Sequence, residues 1–87
     1  MYLILCYDVK AKRVGKLRKV VKKYLHPVQR SVFEGFLPES KLRQLKQEIE
    51  KLVDCEEDSI RIYRFQTLQG AQVEQLGVLS NPQSTVI

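Results

Sequence analysis

The chain has 87 residues, 44% hydrophobic and 29% charged, which makes one ordinary globular domain with a modest core. No apolar run approaches membrane-spanning length, and the first apolar stretch lacks a basic lead-in and ends in an acid. Both facts argue against export or membrane insertion and point to the cytoplasm. The two cysteines, Cys6 and Cys55, stand outside any CxxC or Cys/His set, so reduced thiols are expected rather than a disulfide or a zinc site.

The net charge of +5 matters less than its distribution. Lys10, Lys12, Arg13, Lys16, Arg18, Lys19, Lys22 and Lys23 follow one another with no acid among them, while the rest of the chain nearly balances. A solvated helix face is the ordinary explanation for a charge run. The absence of interspersed Glu or Asp turns the reading toward a polyanionic partner, nucleic acid first.

In chain order, Tyr2-Leu3-Ile4-Leu5-Cys6-Tyr7 is an unbroken apolar run closed by Asp8. It reads as a strand buried on both faces, with Tyr2, Ile4, Cys6 and Asp8 on one side and Leu3, Leu5 and Tyr7 on the other. An acid at the rim of something packed must be paired or ligated. Val14, Leu17, Val20 or Val21, and Tyr24 then recur at helical spacing, predicting a helix over Ala11–Leu25 that ends at His26-Pro27. Gly15 within it suggests a close approach to another backbone.

The stretch from Val28 to Leu37 is extended, either one long strand or a short strand that kinks near Arg30-Ser31 into a second. Pro38 fits the first turn of a second helix, whose buried stripe is Leu42, Leu45, Ile49, Leu52 and Val53. Ser59 to Phe65 alternates as a strand. Residues 72–79 carry a weak strand pattern, making 1–79 one domain, and 80–87 form a tail.

This order is close to a ferredoxin-like α+β sandwich with an additional C-terminal strand. Such a sheet has both helices on one face. A first strand apolar on both faces then needs a cover for the open side, and a second copy of the chain is the simplest one, giving a homodimer with sheets packed face to face.

Chemically, the lone His26 beside a proline has no nucleophile marked near it, and neither a phosphate loop nor an HExxH is present. Metal-assisted phosphodiester hydrolysis fits better. Two-fold symmetry would turn one carboxylate per chain into a pair, which a hard cation such as Mg²⁺ could satisfy and use to activate water. Asp8 is the acid placed for this, with Glu34 second. Tyr7, Phe33, Tyr63 and Phe65 could stack on bases, although they look more like packing residues.

Three stretches carry a family resemblance: Tyr7-Asp8-Val9, Val28-Gln29-Arg30-Ser31-Val32-Phe33-Glu34-Gly35, and Asp58-Ser59-Ile60-Arg61-Ile62-Tyr63-Arg64. In combination the chain resembles the second CRISPR-associated core adaptation family, the small ferredoxin-like nucleases that accompany the CRISPR integrase, over nearly its whole length up to the last strand. The resemblance implies a symmetric dimer with C-terminal strands (here 72–79) exchanged or added between protomers. It implies a Mg²⁺ site at the paired strand-end acid, which is Asp8. It also implies binding of duplex DNA between integrase subunits during spacer acquisition. Members are described as metal-dependent endonucleases on RNA or DNA, in some settings acting mainly as scaffolds. Many members carry an arginine where this chain has Pro27; Arg30 is offset by three and in a regular strand would face the other way.

The expectation is therefore a cytoplasmic homodimer of the CRISPR adaptation machinery. Arg13, Lys16, Arg18, Lys19 and Arg30 would contact the DNA backbone, Tyr7 and Phe33 would support them, and Asp8 would hold the metal and carry catalysis. The alternatives are a non-catalytic DNA-binding scaffold and a toxin-type endoribonuclease cutting single-stranded RNA on the same fold.

Overall fold

A computed structural model describes residues 1–66. Its elements are β1 (Tyr2–Asp8), α1 (Ala11–Val21), β2 (His26–Gln29), β3 (Val32–Phe36), α2 (Glu39–Glu50) and β4 (Ser59–Phe65). The anticipated strand at 72–79 and the tail at 80–87 lie outside the described residues.

The sheet has the order β2-β3-β1-β4, with every neighbouring pair antiparallel. The apolar run of β1 is thus its inner strand, paired with β3 on one side and β4 on the other. Leu3, Leu5 and Tyr7 point into a core completed by Leu17 and Val21 from α1, Phe33 from β3, and Leu42, Leu45 and Ile49 from α2. Both helices therefore cover the same face, as a ferredoxin-like α+β sandwich requires. Burying these side chains supplies the main stabilisation, at roughly 25 cal/mol per Å² of apolar surface removed from water.

Among the described residues β1 is sealed on one face only. Leu3 and Leu5 have no exposure, whereas Tyr2, Ile4 and Cys6 on the opposite face are half-buried. Around them Phe36, Tyr63 and Phe65 are exposed. Double-sided apolarity in the sequence is therefore a property of an open sheet that carries apolar side chains outward.

Two local details correct the sequence reading, at the ends of α1 and α2, and a third, the break at Arg30-Ser31, decides between its two alternatives. α1 stops at Val21 rather than Leu25, because the chain tightens there: Tyr24 N–H donates to the Val21 carbonyl and Lys23 N–H to that of Val20. Leu25 is buried all the same, as the lead-in to β2. The extended segment resolves into a hairpin whose turn is Arg30-Ser31, with an irregular register between Pro27 and Gln29. Arg30 therefore sits in a turn, where strand alternation does not apply to it. Pro38 caps α2 from just outside, its carbonyl accepting from the Lys41 and Leu42 N–H groups, and Leu52 and Val53 lie beyond the helix end.

Gly15 meets no neighbour: a Cβ built there would have open space around it. The close approach expected at that position does not occur among the described residues. Gly35 is the tighter glycine, where an added Cβ would come within 3.1 Å of Leu25 Cδ2.

A strand-end carboxylate between two clefts

Asp8 closes β1, opposite Ser59 of β4, and its side chain is exposed. It forms a wall common to two clefts. The larger, about 610 Å³ in volume, runs toward α1 and the hairpin turn and is lined by Tyr7, Asp8, Arg18, Arg30 and Ser31 among others. The smaller, about 230 Å³, lies on the open face toward β4 and includes Cys6, Ser59, Arg61 and Tyr63. The ion pairs among the described residues join Arg13 to Glu57 and Asp58, Lys23 to Glu48, and Arg64 to Glu39. None of them engages Asp8.

The floor of the larger cleft is preorganised. The Tyr7 hydroxyl donates to the Arg30 carbonyl at 2.8 Å, and Arg18 Nη1 donates to the same carbonyl at 2.7 Å and to the Tyr7 oxygen at 3.1 Å. The Arg18 guanidinium also lies over the Phe33 ring, 5.2 Å from its centroid. A cation held this way loses little side-chain freedom when it meets a phosphate. Tyr7 and Phe33 thus hold Arg18 from below, and neither presents a free ring face for a base; Phe33 is wholly buried.

The sequence-selected cations divide into two groups. Arg18 and Arg30 line the Asp8 cleft, and Lys16 and Lys19 are exposed along α1. Arg13 is engaged elsewhere. Its Nε donates to Asp58 at 2.6 Å and its Nη2 to Glu57 at 2.9 Å, with only 18% of its side chain exposed. Asp58 in turn accepts from the backbone N–H of Lys10 and of Asp54. Arg13 therefore fastens the start of α1 to the loop before β4, and its pairing holds the Asp58 carboxyl well below the usual carboxylate range.

Glu34, the second acid singled out, lies level with Ile4 on the open face and accepts from the Tyr2 hydroxyl. That contact, together with burial, pushes the Tyr2 phenol up to about 12, burial being the larger cause. Glu34 is therefore four residues along β1 from the level of Asp8. Ser31, Ser59 and Arg61 were not selected from sequence, yet they line the Asp8 clefts. The signal was available in the register: Cys6 pairs with Arg61 and Asp8 with Ser59, so all four share a face.

Among the described residues no three His, Cys, Asp or Glu side chains cluster as metal donors. One chain brings a single carboxylate to this place. A divalent cation would fit only with further donors, water or the same carboxylate of a second copy.

The fold and the site define a ferredoxin-like sandwich with an open sheet and a lone acid at the end of its inner strand. The family model for CRISPR associated protein Cas2 matches residues 1–73, and the chain belongs to that family. It is 46% identical over 78 residues to the CRISPR-associated endoribonuclease Cas2 of Thermotoga maritima, covering 90% of each chain. Over its full length it is 37% identical to the protein of the same name from Dictyoglomus turgidum. A solved Cas2 crystal structure superposes with a TM-score of 0.81 at 36% identity, covering 100% of this chain and 94% of that one. Streptococcus pyogenes Cas2 superposes with a TM-score of 0.76 at 31% identity, covering 88% and 100%. Among the described residues, no helix is long and apolar enough to cross a membrane.

Proposed function

We propose that this Cas2-family protein acts in CRISPR adaptation as a cytoplasmic homodimer. It binds the backbone of duplex DNA beside the CRISPR integrase and hydrolyses phosphodiesters with Mg²⁺ held at Asp8. The observation that carries this reading is the Asp8 carboxylate, without an ion pair among the described residues, on the wall of a cleft whose floor presents Arg18 and Arg30. An exposed acid next to preorganised cations suits a site that takes a phosphate and a counter-cation together.

In this account Arg18, held by Tyr7 and Phe33, receives a phosphate oxygen, while Arg30 and the α1 lysines track the backbone by charge. Asp8 of each chain would hold one shared Mg²⁺, and such an ion would lower the pKa of a bound water enough to make hydroxide available as the nucleophile for phosphorus. The curated relatives named as endoribonucleases support RNA as one substrate class. Cleavage of RNA and of DNA by wild type and by Asp8→Asn, with Mg²⁺ and with EDTA, tests the reading. Loss of metal-dependent cleavage in Asp8→Asn supports it, and equal cleavage removes Asp8 from catalysis.

A second reading is favoured by one observation. The cations reach an open cleft and an exposed helix face, so backbone binding does not itself need the acid. As a non-catalytic scaffold, the protein would keep DNA binding and integrase assembly in Asp8→Asn and lose them on charge reversal at Lys16 and Lys19.

A further inference from the structure

Besides Glu34, whose carboxylate accepts from the Tyr2 hydroxyl, the open sheet face carries two opposite charges that do not meet within the described residues. Asp8 and Arg61 line the same shallow cleft. The antiparallel register pairs Asp8 with Ser59 and Cys6 with Arg61, which sets the two side chains on one face along a diagonal. Diagonal positions of this kind are roughly 7–8 Å apart, within reach of a long side chain. Among the described residues, however, the Arg61 guanidinium has only the Tyr63 hydroxyl of its own strand, at 3.4 Å. Other cations of the chain do find acids, as Arg13, Lys23 and Arg64 show.

The rest of the face indicates what brings them together. Toward the other end of β1, Phe36 is 65% exposed, Tyr63 44% and Phe65 41%, with the Tyr2 ring packed against Phe36 and Phe65. A contiguous aromatic patch of this kind marks an interaction surface. A face that is largely aromatic at one end, where Glu34 is taken up by the Tyr2 hydroxyl, and carries one acid and one base free of ion pairs at the other is self-complementary under a two-fold rotation. In an isologous contact residue i of one copy meets residue j of the other, and j meets i, so each acid can meet a base. Apolar surface then closes on apolar surface. The arrangement also relieves the repulsion between two acids brought near one axis.

We propose that Arg61 of each chain pairs with Asp8 of the partner subunit, so that each carboxylate site is completed by an arginine from the other copy. The pairing rests on the homodimer reading above and adds a residue to its site. It gives the dimer charge specificity: like-charge contacts at this position oppose association, and opposite charges fix the register.

The test uses two full-length variants in EDTA, so that no metal contributes. Arg61→Glu alone sets acid against acid between its own copies, and Asp8→Lys alone sets base against base. Each should dimerise at least about tenfold more weakly than wild type in sedimentation velocity. Mixed together they offer two attractive pairs, one native and one reversed, and heterodimers should form with affinity close to that of wild type. A chain carrying both reversals should dimerise as well, which keeps the test valid if one single variant folds poorly. Recovery in the mixture establishes the pair between chains. Recovery only in the doubly reversed chain places the pair within one chain and overturns the proposal. Undiminished dimers of both single variants also overturn it while leaving the homodimer reading intact. A monomeric wild type overturns that reading and the pair with it.

Discussion

Tyr7 and Arg18 meet on one acceptor: both donate to the carbonyl oxygen of Arg30, at 2.8 and 2.7 Å, and stand 3.1 Å from each other. This joint ties the end of β1, the last turn of α1 and the β2–β3 turn at the place where Asp8 emerges. The site is therefore positioned by three elements that are distant in sequence. Tyr7→Phe removes one donor and leaves the ring in the core, so it should cost about 1 kcal/mol in chemical denaturation. It should also weaken oligonucleotide binding, because Arg18 is then held by one anchor fewer; unchanged affinity would show that Arg18 is held well enough by Arg30 and Phe33 alone.

Gly15 lies in the interior of α1 with open space where a side chain would go. Its backbone is helical and nothing among the described residues crowds it, so glycine there carries only its entropic disadvantage. Gly15→Ala should stabilise the fold by about 0.5–1 kcal/mol with no change in the spectroscopic signature of the folded state. A destabilised variant would reveal a neighbour that covers this face of α1.

Acid should weaken the fold through Asp58. Arg13 lowers its carboxyl below the ordinary value of 3.8, so the unfolded chain takes up protons at higher pH than the folded one. The resulting stabilisation is present above that ordinary value and is lost as pH falls below it. Glu48, lowered chiefly by its contact with Lys23, adds to the same trend. Thermal melts from pH 6 to pH 2 should show Tm falling most steeply below about pH 4, the ordinary carboxyl range. Asp58→Asn should start lower and fall less. Parallel curves for the two proteins would show that the Arg13–Asp58 pair contributes little to the fold.

Salt dependence separates binding cations from structural ones. Replacing Lys16 or Lys19 by Ala should flatten the dependence of DNA affinity on salt, by roughly 0.9 in the log–log slope for each phosphate no longer neutralised. Arg13→Ala should leave that slope unchanged and lower the melting temperature instead, since its guanidinium is already committed to Asp58 and Glu57.

Much of this was legible in the residue pattern. The unbroken apolar run of β1 marked the inner strand, the 3.6-residue spacing of Val14, Leu17 and Val21 marked α1, and alternation from Ser59 to Phe65 marked β4. Asp8 stood out because nothing polar precedes it. What the pattern left open was decided by contacts between segments far apart. Arg13 looked like its basic neighbours on the helix, and only the packing of α1 against the loop before β4 placed Asp58 beside it. Arg61 looked like an ordinary outward residue of an alternating strand; strand pairing put it on the same face as Asp8. The Arg30-Ser31 turn was ambiguous because Val28 to Leu37 has extended composition throughout, with no glycine to mark a bend before Gly35.

The central claim is that Asp8 holds a divalent cation jointly with its counterpart in a second copy. Titration of Mn²⁺ as a paramagnetic substitute for Mg²⁺, followed by electron paramagnetic resonance, reads this directly through the amount of ion bound per chain. The account predicts one ion for every two chains in the wild-type dimer and loss of that ion in Asp8→Asn. One ion bound by each chain, or the same binding in Asp8→Asn, would contradict it.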